Sequence, residues 1–356
     1  MIALLKQLDW RLNLAVLFLI AAGILSLIST SPNFVYKQFI ALGIGLFLTF
    51  LLIKFDWRAL VNYRGVIFGL YIFVILLLIL AYFFAPVIRG TRGWFVIGDF
   101  RFQISELVKL VLIVVYAHFF SKKHIGMARL PNLLASFFYF IIPAALVGVQ
   151  PDFGSVLILF CLWLGFLLVS GIPWKYLAIG LIIFSVLGTI FWNSVLKDYQ
   201  KERILGFLFP GRDPLGVNYN VIQSKIAIGS AGFFGKGFGQ GTQSQLGFLP
   251  EAQTDFIFAA FIEEWGLVSG FILIGVFAYL ILRIIKIGLD SENNFNRFIC
   301  LGTAILFIVQ FIFNVGSNLG LTPVIGVTFP FLSYGGSSLL TNLILLGIIQ
   351  SISVRS

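Results

Sequence analysis

Ten predominantly apolar runs, at 12–29, 38–53, 65–84, 104–120, 133–149, 154–170, 176–191, 255–282, 298–313 and 337–352, leave this chain few ways to fold. Each approaches the roughly 17–25 residues that a helix needs to cross bilayer hydrocarbon. Inside lipid every backbone N–H and C=O has to be satisfied by the chain itself, which a helix does within one segment. The series predicts an all-α, polytopic integral membrane protein of about ten transmembrane helices, a single transmembrane domain over 1–356. The run at 337–352 is the weakest, being short and opening with Ser337, Ser338, Thr341 and Asn342. Composition agrees: 60% of the residues are hydrophobic, 41 are Phe and 11% are charged, a balance foreign to a water-soluble domain. The stretch before Leu12 is short and no small-residue cleavage pattern follows it, so a removable signal peptide is not expected. Cys161 and Cys300 fall in apolar runs without C-x-x-C spacing and read as small buried hydrophobes.

The net charge of +10 has to be divided by membrane side before it carries meaning. Its lysines and arginines are scattered at helix ends rather than striped along one face, so nucleic acid is not an expected partner. Cytoplasmic loops of membrane proteins carry the excess of Lys and Arg. With the N-terminus inside, Lys6, Arg11, Lys54, Arg58, Arg64, Lys122, Lys123, Arg129, Lys175, Arg283, Lys286, Arg297 and Arg355 face the cytoplasm. The short outer loops then hold Lys37, Arg89, Arg92 and Arg101. Thirteen against four predicts that both termini are cytoplasmic. The segment at about 193–254, between helices seven and eight, is then extracytoplasmic and far longer than an ordinary connection. Phe207, Leu208, Phe209, Tyr219 and a glycine-rich run argue for an ordered loop. The other informative outer segments are 85–103 and 314–336, whereas the cytoplasmic loops are short and plain, so chemistry is expected outside.

Several residues stand out against this background, each with two readings. Glu106 and Lys109 share a helix face at i, i+3 inside the fourth run. They are a structural ion pair or the floor of a polar cavity. Asp152, after Gln150-Pro151, is a helix N-cap or a site residue. Arg89, Arg92 and Arg101, with Asp99 as the nearby acid, run against the positive-inside bias. They suit an anionic ligand or lipid headgroups. Trp94 is an interfacial anchor or a platform for a sugar ring. The run Gly229 to Thr242 resembles a phosphate loop but lacks its spacing, and reads instead as a tight backbone path rich in positive φ. Lys225 and Lys236 remain candidates to present charge to a phosphate. Asp255 opens the eighth run, with Glu251 upstream and Glu263 and Glu264 deeper. Carboxylates are the acid and base material of glycosyl chemistry, yet an Asp at a helix start is equally a cap. Thr322 to Ser338, with three prolines or glycine pairs breaking any period, reads as a re-entrant, cavity-lining segment. His118 and His124 lack metal spacing, and no motif argues for a structural zinc.

Taken together, Gln223-Ser-Lys-Ile-Ala-Ile-Gly-Ser, Gly241-Thr-Gln-Ser-Gln-Leu, Phe248-Leu-Pro-Glu, Thr254-Asp-Phe-Ile-Phe, Glu263-Glu264 and Pro330-Phe-Leu-Ser-Tyr-Gly-Gly-Ser-Ser are recognisable. The chain resembles the SEDS family (shape, elongation, division and sporulation) of bacterial cell-wall polymerases over essentially its whole length, and its rod-shape branch most. The resemblance implies a multi-pass protein of the bacterial cytoplasmic (inner) membrane that polymerises lipid II, the undecaprenyl-pyrophosphate-linked disaccharide pentapeptide, on the outer face. It implies a class B penicillin-binding protein as partner, beside membrane lipid. The family's essential aspartate falls on Asp255, its intramembrane pair on Glu106 and Lys109, its Gln-Pro-Asp turn on Asp152, and its Arg-x-Trp element on Arg92 and Trp94. Around these, Arg101, Arg212, Lys225, Lys236, Glu251, Glu263, Ser333 and Ser337 are candidates for the substrate cavity. No organic cofactor is expected; a divalent cation is compatible with a diphosphate leaving group. Two positions depart from the family: Gln253 where it commonly has His, and Thr328-Phe329 before the Pro-x-x-Ser-Tyr segment. A lipid II flippase, or a scaffold that docks a transpeptidase without chemistry of its own, fits the same spans.

Overall fold

The computed structural model describes residues 8–55, 63–88, 90–98, 100–126, 129–194, 198–209, 213, 216 and 218–355. Helices stand at each of the ten expected places. They are α1 (Trp10–Thr30), α2 (Val35–Lys54), α3 (Arg64–Phe84), α4 (Ile104–Lys123), α5 (Leu130–Val149), α6 (Phe153–Val169) and α7 (Trp174–Ser194), then α11 (Ile257–Asp290), α12 (Asn294–Leu319) and α13 (Gly336–Arg355). Between α7 and α11 the long segment folds into α8 (Asp198–Leu208), α9 (Tyr219–Ser230) and the single turn α10 (Thr242–Gln245). Among the described residues, eight helices are long and apolar enough to cross a membrane, and α6 is a shorter apolar helix of 17 residues. The chain is therefore a polytopic membrane protein. Large apolar side chains such as Phe47, Phe83 and Leu181 stand exposed on the periphery because the medium there is lipid.

The chain is all-α as expected, apart from one short two-stranded hairpin. Strands β1 (Trp94–Ile97) and β2 (Phe100–Gln103) form an antiparallel hairpin in register Trp94↔Gln103, with Gly98 in a turn after β1. Aromatic and branched residues in β1, followed by Gly98 with φ of 60°, favour a hairpin over a helix.

α13 is the most enclosed of the candidate spans, with 83% of its window buried. That explains how it tolerates a polar start: Ser337, Ser338, Thr341 and Asn342 face protein rather than lipid. It packs most closely on α2, where Gly45 receives Leu343 and Gly347 receives Thr49, whose hydroxyl donates to Leu343 O at 2.7 Å. α11 and α12 pack on one another, α11 also on α1, and α12 also on α4 and α6. At one end, Asp9 caps α1, pairs with Arg283 of α11 and is bridged to α13 by Gln350, so three helices are clasped there. The candidate site lies at the other end.

Candidate active site

The apolar run begins at Asp255, but α11 begins at Ile257: residues 250–256 are successive turns, and Phe256 takes the N-cap position. Asp255 therefore sits one residue before the cap. The first-turn N–H of Ala259 is satisfied from α12, by Asn318 Oδ1 at 3.0 Å. The turn is founded on Glu251, a non-glycine residue with φ of 52°. Its carbonyl accepts from the N–H groups of Thr254 and Phe256 at 3.0 and 3.2 Å. Its carboxylate accepts from Thr254 Oγ1 at 3.1 Å and Gln253 Nε2 at 3.3 Å.

The carbonyls of Gln253, Thr254 and Asp255 are held by two other parts of the protein. Gln253 O accepts from Tyr334 N–H at 2.9 Å, and Thr254 O from Ser333 Oγ at 2.7 Å. Asp255 O accepts from Asn314 Nδ2 at 3.1 Å and Asn318 Nδ2 at 2.8 Å. The backbone around Asp255 is thus fixed by the 329–335 segment on one side and α12 on the other. Its half-buried side chain lies beside Gly326, where a Cβ would stand 3.9 Å from Oδ2. Gly326 has φ of 72°, so a larger residue there meets both a strained backbone and the carboxylate.

One to two turns further along α11, Glu263 and Glu264 are buried and differ in their attachments. Glu263 pairs with Lys236 at 2.8 Å and accepts from the N–H groups of Gln243 and Ser244 at 2.8 and 3.1 Å. It also accepts from the hydroxyls of Ser244 and Thr242. Glu264 Oε1 joins Ser29 of α1 and Gln245. The two carboxylates bind the 236–245 loop to the bundle. At Gly266 α11 is interrupted by φ of 84° and ψ of 172°. There the loop completes the helix's hydrogen bonds, Lys236 and Gly237 N–H donating to Glu263 and Glu264 O, and Leu267 and Val268 N–H to Gly232 and Phe233 O. Gly232, Gly235, Gly237 and Gly239 all have positive φ, as a tight backbone path requires.

Asp152 is the N-cap of α6, with Oδ1 accepting from Ser155 N–H at 3.1 Å. Its Oδ2 gathers Ser155 Oγ at 2.8 Å, Gln103 Nε2 at 2.9 Å and Ser105 Oγ at 3.2 Å, tying the hairpin and α4 to α6. Glu106 and Lys109 meet at 2.7 Å, both buried, and Glu106 Oε2 has no partner among the described residues. Unpartnered buried oxygens of this kind mark a place for water or ligand.

A model of the FtsW/RodA/SpoVE cell cycle protein family matches residues 3–356. The chain belongs to this family. Peptidoglycan glycosyltransferase MrdB of Escherichia coli (strain K12) is 38% identical over 290 residues, covering 82% of this chain and 78% of that protein. Probable peptidoglycan glycosyltransferase FtsW of Coxiella burnetii is 33% identical over 364 residues, covering 98% and 96%. Among solved structures, a chain from a peptidoglycan synthase complex, described as coordinating polymerization and crosslinking, has a TM-score of 0.84 at 35% identity over 97% of both chains. The rod shape determining protein RodA of Thermus thermophilus has a TM-score of 0.72 at 30% identity, covering 97% of this chain and 96% of that one.

Within this FtsW/RodA/SpoVE chain the sequence-derived candidates do not all converge on one place. Asp255, Glu251 and Ser333 come together in the clamped turn. Lys236 is committed to Glu263, and Ser337 accepts from Gln103 N–H at 2.9 Å and donates to Arg101 O, joining α13 to the hairpin. Arg92 and Arg101 are exposed on or beside the hairpin, and Trp94 is half-buried with Nε1 donating to Thr91 Oγ1 at 3.2 Å. Lys225 lines a separate cavity, and Arg212, Arg89 and Asp99 lie outside the described residues. Among the described residues no three His, Cys, Asp or Glu side chains gather as a metal site. Sequence reasoning missed Asn314 and Asn318. Two buried carboxamides one turn apart at the end of an apolar helix require partners, and that pattern was the available signal.

Proposed function

We propose that this chain is a peptidoglycan glycosyltransferase that polymerises lipid II on the outer face of the bacterial cytoplasmic (inner) membrane during cell elongation, with Asp255 as general base. The observation that carries the reading is the clamp on three consecutive carbonyls, which sets one carboxylate at a defined place at the end of a membrane bundle. General-base chemistry needs that fixity, because a proton acceptor has to stand within hydrogen-bond reach of the hydroxyl it activates.

In this mechanism Asp255 takes the proton from the 4-hydroxyl of the acceptor N-acetylglucosamine. The oxygen attacks the anomeric carbon of the donor N-acetylmuramic acid with inversion, and undecaprenyl diphosphate departs. The leaving group is already anionic, so it needs cations rather than a strong acid. Arg101, exposed on the hairpin that Gln103 ties to Asp152, and Arg92, exposed just before it, serve that task in this reading. In this reading the buried pair of Glu106 and Lys109, 2.7 Å apart, forms the floor of the substrate cavity. A class B penicillin-binding protein is the partner that would crosslink the product, in keeping with the synthase complex of the structural relative.

The test is polymerisation of lipid II by the purified protein with and without that partner, read on gels of the glycan product. Wild type yields long strands and Asp255→Ala none, at equal protein folding. Wild-type rates from Asp255→Ala would sink the assignment of the base, and lipid II translocation without polymer would favour the flippase.

A further inference from the structure

Away from Asp255, α8, α9 and the 320–324 segment enclose a cavity of about 330 Å3. That lies within the size of small-ligand sites. Its lining includes one carboxylate, Glu202, one ammonium, Lys225, and the amides Asn218 and Asn220. Glu202 and Lys225 face this shared space without pairing with each other, and neither they nor Asn220 engage any other side chain among the described residues. The Lys225 ammonium lies over Gly320, the left-handed residue that ends α12 with φ of 71°, where any side chain would displace it. Two opposite charges kept apart across a polar space match a ligand that itself carries both signs.

The cavity also borders the candidate active site. Val324 is part of its wall and packs against the cluster of Phe256, Ala259 and Ala260 at the start of α11. Gly326, beside Asp255 Oδ2, is two residues on, at most about 7 Å of extended chain. A group bound in the cavity therefore lies close to a sugar placed at Asp255. A lipid diphosphate fits poorly: it carries only negative charge, which Glu202 repels. It is also anchored to the membrane by its lipid.

We propose that this cavity is the subsite for the peptide stem of the substrate, with Lys225 receiving a stem carboxylate, Glu202 the stem's amine, and Asn220 its backbone. This rests on the reading that the chain acts on lipid II. The stem is the zwitterionic part of that molecule, and it branches from the muramic acid whose anomeric carbon reacts.

Two measurements on the full-length purified protein test it. The first is binding of the soluble stem pentapeptide, which needs no catalysis. Wild type binds, and Lys225→Ala and Glu202→Gln each weaken binding about tenfold, the worth of one charge-assisted hydrogen bond. The second is polymerisation of lipid II with an intact stem against lipid II trimmed to the first stem residue. Lys225→Ala raises KM about tenfold on the intact substrate, leaves kcat within about twofold, and has no effect on the trimmed one. Absence of peptide binding by wild type overturns the proposal, as does a Lys225→Ala effect of equal size on both substrates, which would move this lysine to the diphosphate. Loss of the transpeptidase complex in the same variants, with peptide binding intact, would make the cavity a protein-docking site instead. A wild type that binds the pentapeptide but polymerises neither substrate defeats the glycosyltransferase reading alone.

Discussion

Asp152 and Asp255 stand in similar sequence contexts, each just before an apolar helix, and the structure uses them in opposite ways. Asp152 caps α6 and gathers four hydrogen bonds from Ser155, Gln103 and Ser105, so its carboxylate is a structural joint. At Asp255 it is the backbone that carries the joint, through Asn314 and Asn318, while Phe256 takes the cap position. Local sequence at a helix start thus leaves open whether the carboxylate or the backbone of an aspartate makes the joint. The sharpest way to break the contrast is Asp255→Asn, which keeps shape and removes basicity. Polymerisation should fall about 100- to 10,000-fold, the usual contribution of a general base. The thermal midpoint should stay at the wild-type value, and a large drop in it would return Asp255 to the structural class.

A second prediction concerns the pair that lies deeper on the Asp152 side. Lys109→Met leaves the Glu106 carboxylate buried without its counter-ion and should cost about 3–5 kcal/mol. Glu106→Gln combined with Lys109→Met should recover much of that, since no unpaired charge then remains. Thermal melts of the two variants in one detergent decide the matter, and equal melting points would remove the pair from the fold's support. Third in size comes Asp152→Ala. Loss of a capping side chain costs about 1–2 kcal/mol. Activity per folded molecule should persist, in direct contrast to Asp255→Asn, and loss of turnover in a well-folded Asp152→Ala protein would erase the distinction.

The membrane architecture was legible because lipid allows few solutions, and all ten apolar runs coincide with helices. The run judged weakest is the most enclosed, since Ser337, Ser338, Thr341 and Asn342 lower hydropathy for the reason that they face protein. The hairpin at 94–103 was written in its aromatic and branched residues and in Gly98, but a chain so apolar draws the reading toward helices. Asp255 was found as a residue and misplaced as an element, because helix ends depend on caps that here come from α12, 59 positions away. Lys236 read as a cation for phosphate, whereas its partner Glu263 lies 27 residues on, and such pairing is invisible without the fold. The Gly-rich run was read correctly as backbone geometry, though nothing local revealed that it mends the break in α11 at Gly266.

The smallest predicted effect tests the clamp itself. Asn314 and Asn318 both donate to the Asp255 carbonyl, so removing one leaves the other in place. Asn314 also holds Val327 O at 2.8 Å, whereas Asn318 also accepts from Ala259 N–H and so serves the start of α11. Asn314→Ala should therefore cost about 0.5–1.5 kcal/mol of stability, the net worth of a neutral hydrogen bond, and Asn318→Ala somewhat more because a buried N–H is left unmet. If the clamp places the Asp255 carboxylate, either change lowers kcat a few-fold with KM unaltered, and the double variant loses more than the product of the two. A double variant whose kcat loss equals that product would mean that the two amides act independently. A double variant with unchanged kcat would mean that Asp255 is placed by the 329–335 segment and not by α12.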